Sequence, residues 1–306
     1  MAYEFYDPIK DGYNFFGYAA EKNFHYWSLA HILPILILVA AIVLTYIYRD
    51  KIANMKGEEN LRFAIGIALI LIEGFYYWRL LFVADGPSHD ESLLTKLPFE
   101  VCEWSAFLAA FMIMKKSRNM FDIAYYVCLT LGVIPFFMPA VIDQTGPAYA
   151  RYYQFWLEHL IPVYAVFYMM FVHGFKADYK KVWKPFAWLG VMACCALILN
   201  NTIEGASFMY LSKGTSGASI VNIMPEDMYV RLLVYCAILV VLFTLVSLPQ
   251  IIPQIKAAVA KKKAASVDGV ATEELSVESA ETVVTDEVAA TENQTKTEPV
   301  LDEKTE

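Results

Sequence analysis

Charge is scarce in this chain of 306 residues: Asp, Glu, Lys and Arg make up 18% of it, while 58% is hydrophobic. Soluble domains carry about a quarter charged residues and 45–50% apolar ones, so the balance argues against an ordinary soluble enzyme. Cysteine is sparse too. All five residues (Cys102, Cys128, Cys194, Cys195, Cys236) fall inside long apolar segments. That placement excludes an extracellular disulfide framework, and no metal-ligand spacing is visible along the chain. Glycine-rich phosphate loops and nucleic-acid motifs are absent, so neither a metal, a cofactor nor a nucleic acid is expected.

What charge there is has an uneven distribution. The formal net charge is −8, yet residues 264–306 hold twelve Asp or Glu against two Lys, leaving twenty acids and twenty-two bases in residues 1–263. The acidity belongs to a tail rich in Glu, Thr, Val, Ala and Ser, without one aromatic residue. Such a segment buries too little apolar surface to offset its ordering entropy and reads as disordered.

Seven apolar segments fill the rest, at residues 27–48, 61–83, 97–114, 121–142, 155–172, 182–201 and 228–248. Each is long enough to cross a hydrocarbon core of about 30 Å as a helix, and in lipid only a helix satisfies the backbone of an isolated segment. The first follows a polar leader and lacks a cleavage pattern, so it reads as a retained helix. The expected architecture is therefore all-α: a polytopic bundle of seven transmembrane helices. Residues 1–26 form a leader, 27–250 the membrane domain, 251–263 a basic juxtamembrane stem and 264–306 the acidic tail. Lys and Arg crowd alternate loops, four in 49–62, three in 115–118, four in 175–184 and four in 256–263, whereas the other loops are poor in them. The positive-inside rule then sets the N-terminus outside and the C-terminus in the cytoplasm, in a multi-pass protein of the cell membrane. Lys261, Lys262 and Lys263 are expected to lie against anionic headgroups.

With that topology, polar residues gather at one depth. His31, Arg79, Glu100, Cys102, Glu103, Glu158, His159, Asn200, Asn201 and Arg231 fall in the outer portion of their segments and Glu73 near mid-depth, while Asp122 and His173 mark the cytoplasmic border. Charges inside membrane helices are costly and face the bundle interior or water, so a polar cavity open toward the outside is expected. Four acids facing two arginines leave negative charge that a proton or a cationic ligand would balance, with His159 as a titrating partner. Gly132, Pro135 and Pro139 are expected to kink or loosen the fourth helix.

Some of these residues also form a pattern. The third segment opens Leu97-Pro98-Phe99-Glu100-Val101-Cys102-Glu103; the fifth is approached through Arg151-Tyr152-Tyr153-Gln154-Phe155-Trp156-Leu157-Glu158-His159; and Asn201 to Leu211 contains Gly205 and Tyr210. In this order and spacing, over residues 27–250, the chain resembles the YwaF-like integral membrane proteins, relatives of eukaryotic transmembrane protein 164. Where the family opens its third helix with a histidine and an aspartate, this chain has Glu100 and Glu103. The resemblance implies a seven-helix fold and acyl transfer between membrane phospholipids through an acyl-cysteine. It casts Cys102 as nucleophile, His159 as its base, Glu158 as the residue orienting the imidazole, and Asn200, Asn201 or Arg231 as donors to the oxyanion. Hydrolysis of a lipid ester is the same chemistry with water as acceptor. Two other readings remain open on the residues: a proton-coupled transporter or small-ligand-binding protein using the same buried acids and His159, and an interaction protein whose cytoplasmic tail recruits a partner.

Overall fold

Close approach of two backbones sets the centre of the molecule. In the computed structural model, which describes residues 15–17, 24–82, 94, 97–139, 145–211, 224–225, 227–257 and 259–260 (backbone only at 79–82), helix α2 (Glu58–Phe82) packs antiparallel to α3 (Val101–Lys115). A Cβ at Gly66 would stand 2.4 Å from Met114 Cγ and Sδ and 3.1 Å from the Ala110 carbonyl oxygen, so a side chain there must displace Met114 and crowd the α3 backbone. Ala106, Ala109 and Ala110 are almost wholly buried at the same seam. Small residues let helices approach closely where lipid offers no hydrophobic drive for association.

The register follows from that contact. Seven residues up α2 from Gly66 is Glu73, and seven residues down α3 from Ala110 is Glu103. At the other end, Arg62 of α2 donates from Nη1 to the carbonyls of Ile113 and Met114, both at 2.9 Å. These are last-turn carbonyls without a helical partner, and a cation there complements the helix dipole. Arg62 Nε also reaches both carboxylate oxygens of Glu58, at 2.9 and 3.0 Å, and Glu58 accepts in addition from Tyr168 Oη and lies 2.7 Å from His173 Nε2.

Around this pair stand α1 (Leu29–Ala53), α4 (Arg118–Thr130), α6 (Ala150–Phe171), α7 (Trp183–Thr202) and α8 (Met228–Ala257). A 3₁₀ turn at Leu131–Val133 joins α4 to a single-turn helix α5 (Ile134–Phe137), so the fourth apolar segment is broken where Gly132 and Pro135 fall, and regular helix ends at Phe137, short of residue 142. The third helix is also shorter than expected, beginning at Val101 instead of 97, whereas the first and last run several residues further. Every regular element among the described residues is helical.

Five helical runs are long and apolar enough to cross a membrane: Leu29–Ala53, Glu58–Trp78, Arg118–Phe137, Tyr179–Thr202 and Met228–Ala257. Helix α1 shows why. Its buried residues, His31, Pro34, Leu38 and Thr45, make one narrow stripe, and Leu33, Leu36, Ile37, Leu44 and Ile47 are exposed on the rest of its surface. An apolar face of that extent is untenable in water and suits lipid. Helices α3 and α6 do not meet the same length and hydropathy. One has fifteen residues, and the other carries Arg151, Gln154, Glu158 and His159. Both are packed on several sides: α6 on α1, α2, α3 and α4, and α3 on α2, α4 and α6. Lipid does not surround them, so they can be polar.

The chain divides into two units, residues 1–248 and 249–306, and the described residues of the second are helical through 257. Most of the leader, the run Lys261–Lys263 and the acidic tail lie outside the described residues.

Candidate active site

Glu100 does not belong to the helix it was expected to open. It is the residue before the first turn of α3, in extended conformation (φ −85°, ψ 152°), and its N–H donates to Glu103 Oε2 at 2.9 Å. The other oxygen of Glu103 accepts from Tyr77 Oη at 2.9 Å, so α2 holds this carboxylate against the start of α3. The carboxylate of Glu100 turns away to accept from the Met209 N–H, 3.2 Å from each oxygen. With Glu100 outside the helix and Glu103 engaged by α2, Cys102 is left to face α6.

There it meets the two residues expected of it. Cys102 Sγ, a carboxylate oxygen of Glu158 and a ring nitrogen of His159 all lie within 4.8 Å of one another, Glu158 and His159 buried and Cys102 partly so. His159 Nδ1 stands 2.7 Å from the Phe155 carbonyl. A carbonyl only accepts, so Nδ1 carries the proton, and Nε2 keeps its lone pair. The Phe155 ring packs against the imidazole, centroids 4.5 Å apart.

Glu158 is braced from its own helix. Gln154 Nε2 donates to Oε2 at 2.7 Å, and Arg151 Nη1 approaches the same oxygen at 3.6 Å while also donating to Gln154 Oε1. Arg151, Gln154 and Glu158 stand at i, i+3 and i+7, one face of a helix. The guanidinium lies over the Tyr76 ring, 4.7 Å from its centroid. Neither Arg151 nor Tyr77 was expected here, since Arg151 reads from the sequence as a loop cation. The signal that reveals it is its seven-residue spacing from Glu158, usable only once α6 is known to begin at Ala150.

Glu73 completes the cluster from α2. It is 1% exposed, its two oxygens have no hydrogen-bond partner, and it is within electrostatic reach of Glu158, Glu103 and Arg151. Among the described side chains Glu73 and Glu158 thus share one cation, Arg151, with Glu103 in electrostatic reach of both acids.

The remaining expected site residues sit elsewhere. His31 is fully buried in α1 among Phe24, Tyr26, Trp27 and Trp156, and both its nitrogens are used: Nδ1 accepts from the Trp27 N–H at 2.9 Å, and Nε2 donates to the Phe136 carbonyl at 2.8 Å. It ties α1 to the unsatisfied end of α5. Asn200 clasps Phe208, accepting its N–H at 2.8 Å and donating one Nδ2 hydrogen to its carbonyl at 3.1 Å. Asn201 is exposed and bonds the Leu197 carbonyl of its own helix. Arg231 is buried, donating to the Pro225 and Tyr210 carbonyls. Asn200, Arg231 and Glu100 therefore all grip the segment around Phe208–Tyr210, whose Met209 and Tyr210 hold left-handed conformations (φ 54° and 53°) that strain residues other than glycine. The side chain of Arg79 lies outside the described residues.

The fold and this site define an integral membrane protein of apolar helices with a buried cysteine, histidine and carboxylates between its central helices. The chain belongs to the TMEM164 family, whose model matches residues 26–247. No curated protein and no solved structure matches it.

Proposed function

We propose that this protein is a phospholipid acyltransferase, or a lipid-ester hydrolase, of the cell membrane, with Cys102 as nucleophile and His159 as its general base. The observation that carries this reading is the meeting of Cys102 Sγ, a His159 ring nitrogen and a Glu158 oxygen within 4.8 Å, from helices some fifty residues apart in sequence. In the first half-reaction Nε2 takes the Sγ proton and sulfur attacks the ester carbonyl carbon. The C–O bond of the tetrahedral adduct then breaks, and the departing lysophospholipid oxygen takes the proton back from Nε2. In the second, Nε2 accepts a proton from the hydroxyl of another lysophospholipid, or from water. That oxygen attacks the thioester, and the thiol is restored with the Nε2 proton. Glu158, braced by Gln154 and Arg151, holds the neighbourhood of the imidazole, and Arg151 is the cation near enough to the cluster to meet developing negative charge.

The topology goes with this reading. Seven crossings, formed by α1, α2, α3, α4 with α5, α6, α7 and α8, with the basic loops in the cytoplasm, put the cysteine in the outer half of the bilayer, near the depth of ester carbonyls. The test is transfer of a labelled acyl chain from phospholipid to lysophospholipid in proteoliposomes, with mass spectrometry for acyl-Cys102. Cys102→Ala is expected to abolish transfer and the adduct, and His159→Ala to slow transfer on the order of 10²–10⁴-fold. Transfer unaltered in both variants would sink the reading.

One observation favours a second reading, proton-coupled transport: Glu73 is a buried carboxyl group without a partner, the kind of group that proton relays use. It predicts activity that collapses with the proton gradient in sealed vesicles, which acyl transfer does not require.

A further inference from the structure

Along the chain no spacing suggested a metal, because the donors come from two helices. We infer that Cys102, Glu158 and His159 form a binding site for one divalent transition-metal ion of the zinc class. Sulfur, imidazole nitrogen and carboxylate oxygen are the three donor types such ions take, and thiolate with imidazole selects them over magnesium or calcium. Around a tetrahedral ion these donors stand about 3.5 Å apart, given bonds of about 2.0–2.3 Å. Donor atoms already within 4.8 Å of one another need to close by little more than about an ångström.

The supporting contacts have the form metal ligands require. The Phe155 carbonyl takes the Nδ1 proton of His159 and leaves Nε2 as donor, while Gln154 orients Glu158 through Oε2. A second, independent observation points to a cation. Glu73, 1% exposed and without a hydrogen-bond partner on either oxygen, is coupled electrostatically to Glu158 and Glu103, with Arg151 the one described cation acting on it. A divalent ion offsets part of this charge; a water is suited to the fourth position that three protein ligands leave open, and Glu73 to the shell outside it.

The metal site stands on geometry and charge and does not require acyl transfer. Its consequence for activity does rest on the function proposed above: an ion on Sγ and Nε2 occupies both the nucleophile's electron pair and the base's. Metal binding and acyl transfer at Cys102 are therefore mutually exclusive, and the ion is a reversible inhibitor.

The experiment uses the full chain in detergent with Cys128, Cys194, Cys195 and Cys236 replaced by alanine, its folding verified by thermal unfolding. Titration with Co²⁺ is expected to give a thiolate-to-cobalt charge-transfer band that saturates at one ion per chain and is displaced by one Zn²⁺. The band is expected to vanish in Cys102→Ser, which preserves side-chain size, and apparent affinity to fall about 10–100-fold in Glu73→Gln. A folded chain that gives no band, or a band that survives Cys102→Ser, overturns the inference. Zn²⁺ at one equivalent should stop acyl-Cys102 formation and a chelator restore it. Stoichiometric binding by a chain that never acylates, even free of metal, defeats the acyltransferase reading and leaves the metal site standing. Acylation in a chain that binds no ion does the reverse.

Discussion

Two histidines at the same end of the bundle do different work, and their second nitrogens tell them apart. His159 gives Nδ1 to a carbonyl and has a ring nitrogen within 4.8 Å of Cys102 Sγ, whereas His31 spends both nitrogens on backbone groups. His31→Ala is accordingly expected to cost about 2–4 kcal/mol, from a lost aromatic-sized contact and two buried backbone groups left without partners. A lowered midpoint in thermal unfolding, with the rate of Cys102 alkylation in the folded state unchanged, is the expected outcome; altered alkylation would bring His31 into the site. The sequence marked both histidines by depth alone, and depth does not report where a lone pair points. Cys102, Glu158 and His159 were legible through the resemblance. Arg151 was hidden because it precedes the apolar run that defines a helix to the eye, and the clasp of Asn200 on Phe208 was hidden because Phe208 stands in a single 3₁₀ turn without periodicity.

At the scale of elements, the seam between α2 and α3 is the part that fixes distances. Gly66→Leu is expected to push α2 off Met114 and the Ala110 carbonyl, to destabilise by about 1–3 kcal/mol, and to separate Tyr77 from Glu103. Thermal unfolding together with the acyl-transfer assay checks both parts; loss of stability with full activity would show that the seam does not set the site. Segment lengths predicted most helices within a few residues because an apolar run in lipid has one way to satisfy its backbone. The exceptions have particular causes. Helix α4 breaks at Leu131–Val133, where glycine and proline fall, and α3 starts late because Glu100 takes its extended conformation to meet Met209. A pair of backbone N–H and carboxylate groups 109 residues apart leaves no local pattern.

The whole molecule has two polar ends of opposite character. One gathers Glu58, Arg62, Tyr168, His173 and Lys116 into a paired network, and the other holds the under-compensated acids around Cys102. Burial keeps the His173 imidazole, which follows the end of α6, below the ordinary histidine range; Glu58 pulls the other way, and Lys116 and Arg62 act with burial. The unfolded chain then takes up a proton at this position first, so the stability His173 contributes is present above about pH 6.5 and is lost below it. The unfolding midpoint is expected to fall between about pH 7.5 and 5.5, and to fall less in His173→Gln; equal falls would remove His173 from the account. The family match at residues 26–247 spans this entire body and leaves out the leader and acidic tail. Arg62 and Tyr77, both on α2, grip α3 at its last and first turns respectively. Helix α3 is thereby splinted along its full length and cannot slide or tilt against α2 without releasing both ends. In the acyl transfer proposed above, entry of a lipid chain to Cys102 then falls to its other described neighbours, such as α6, with the α2–α3 pair as a fixed door frame.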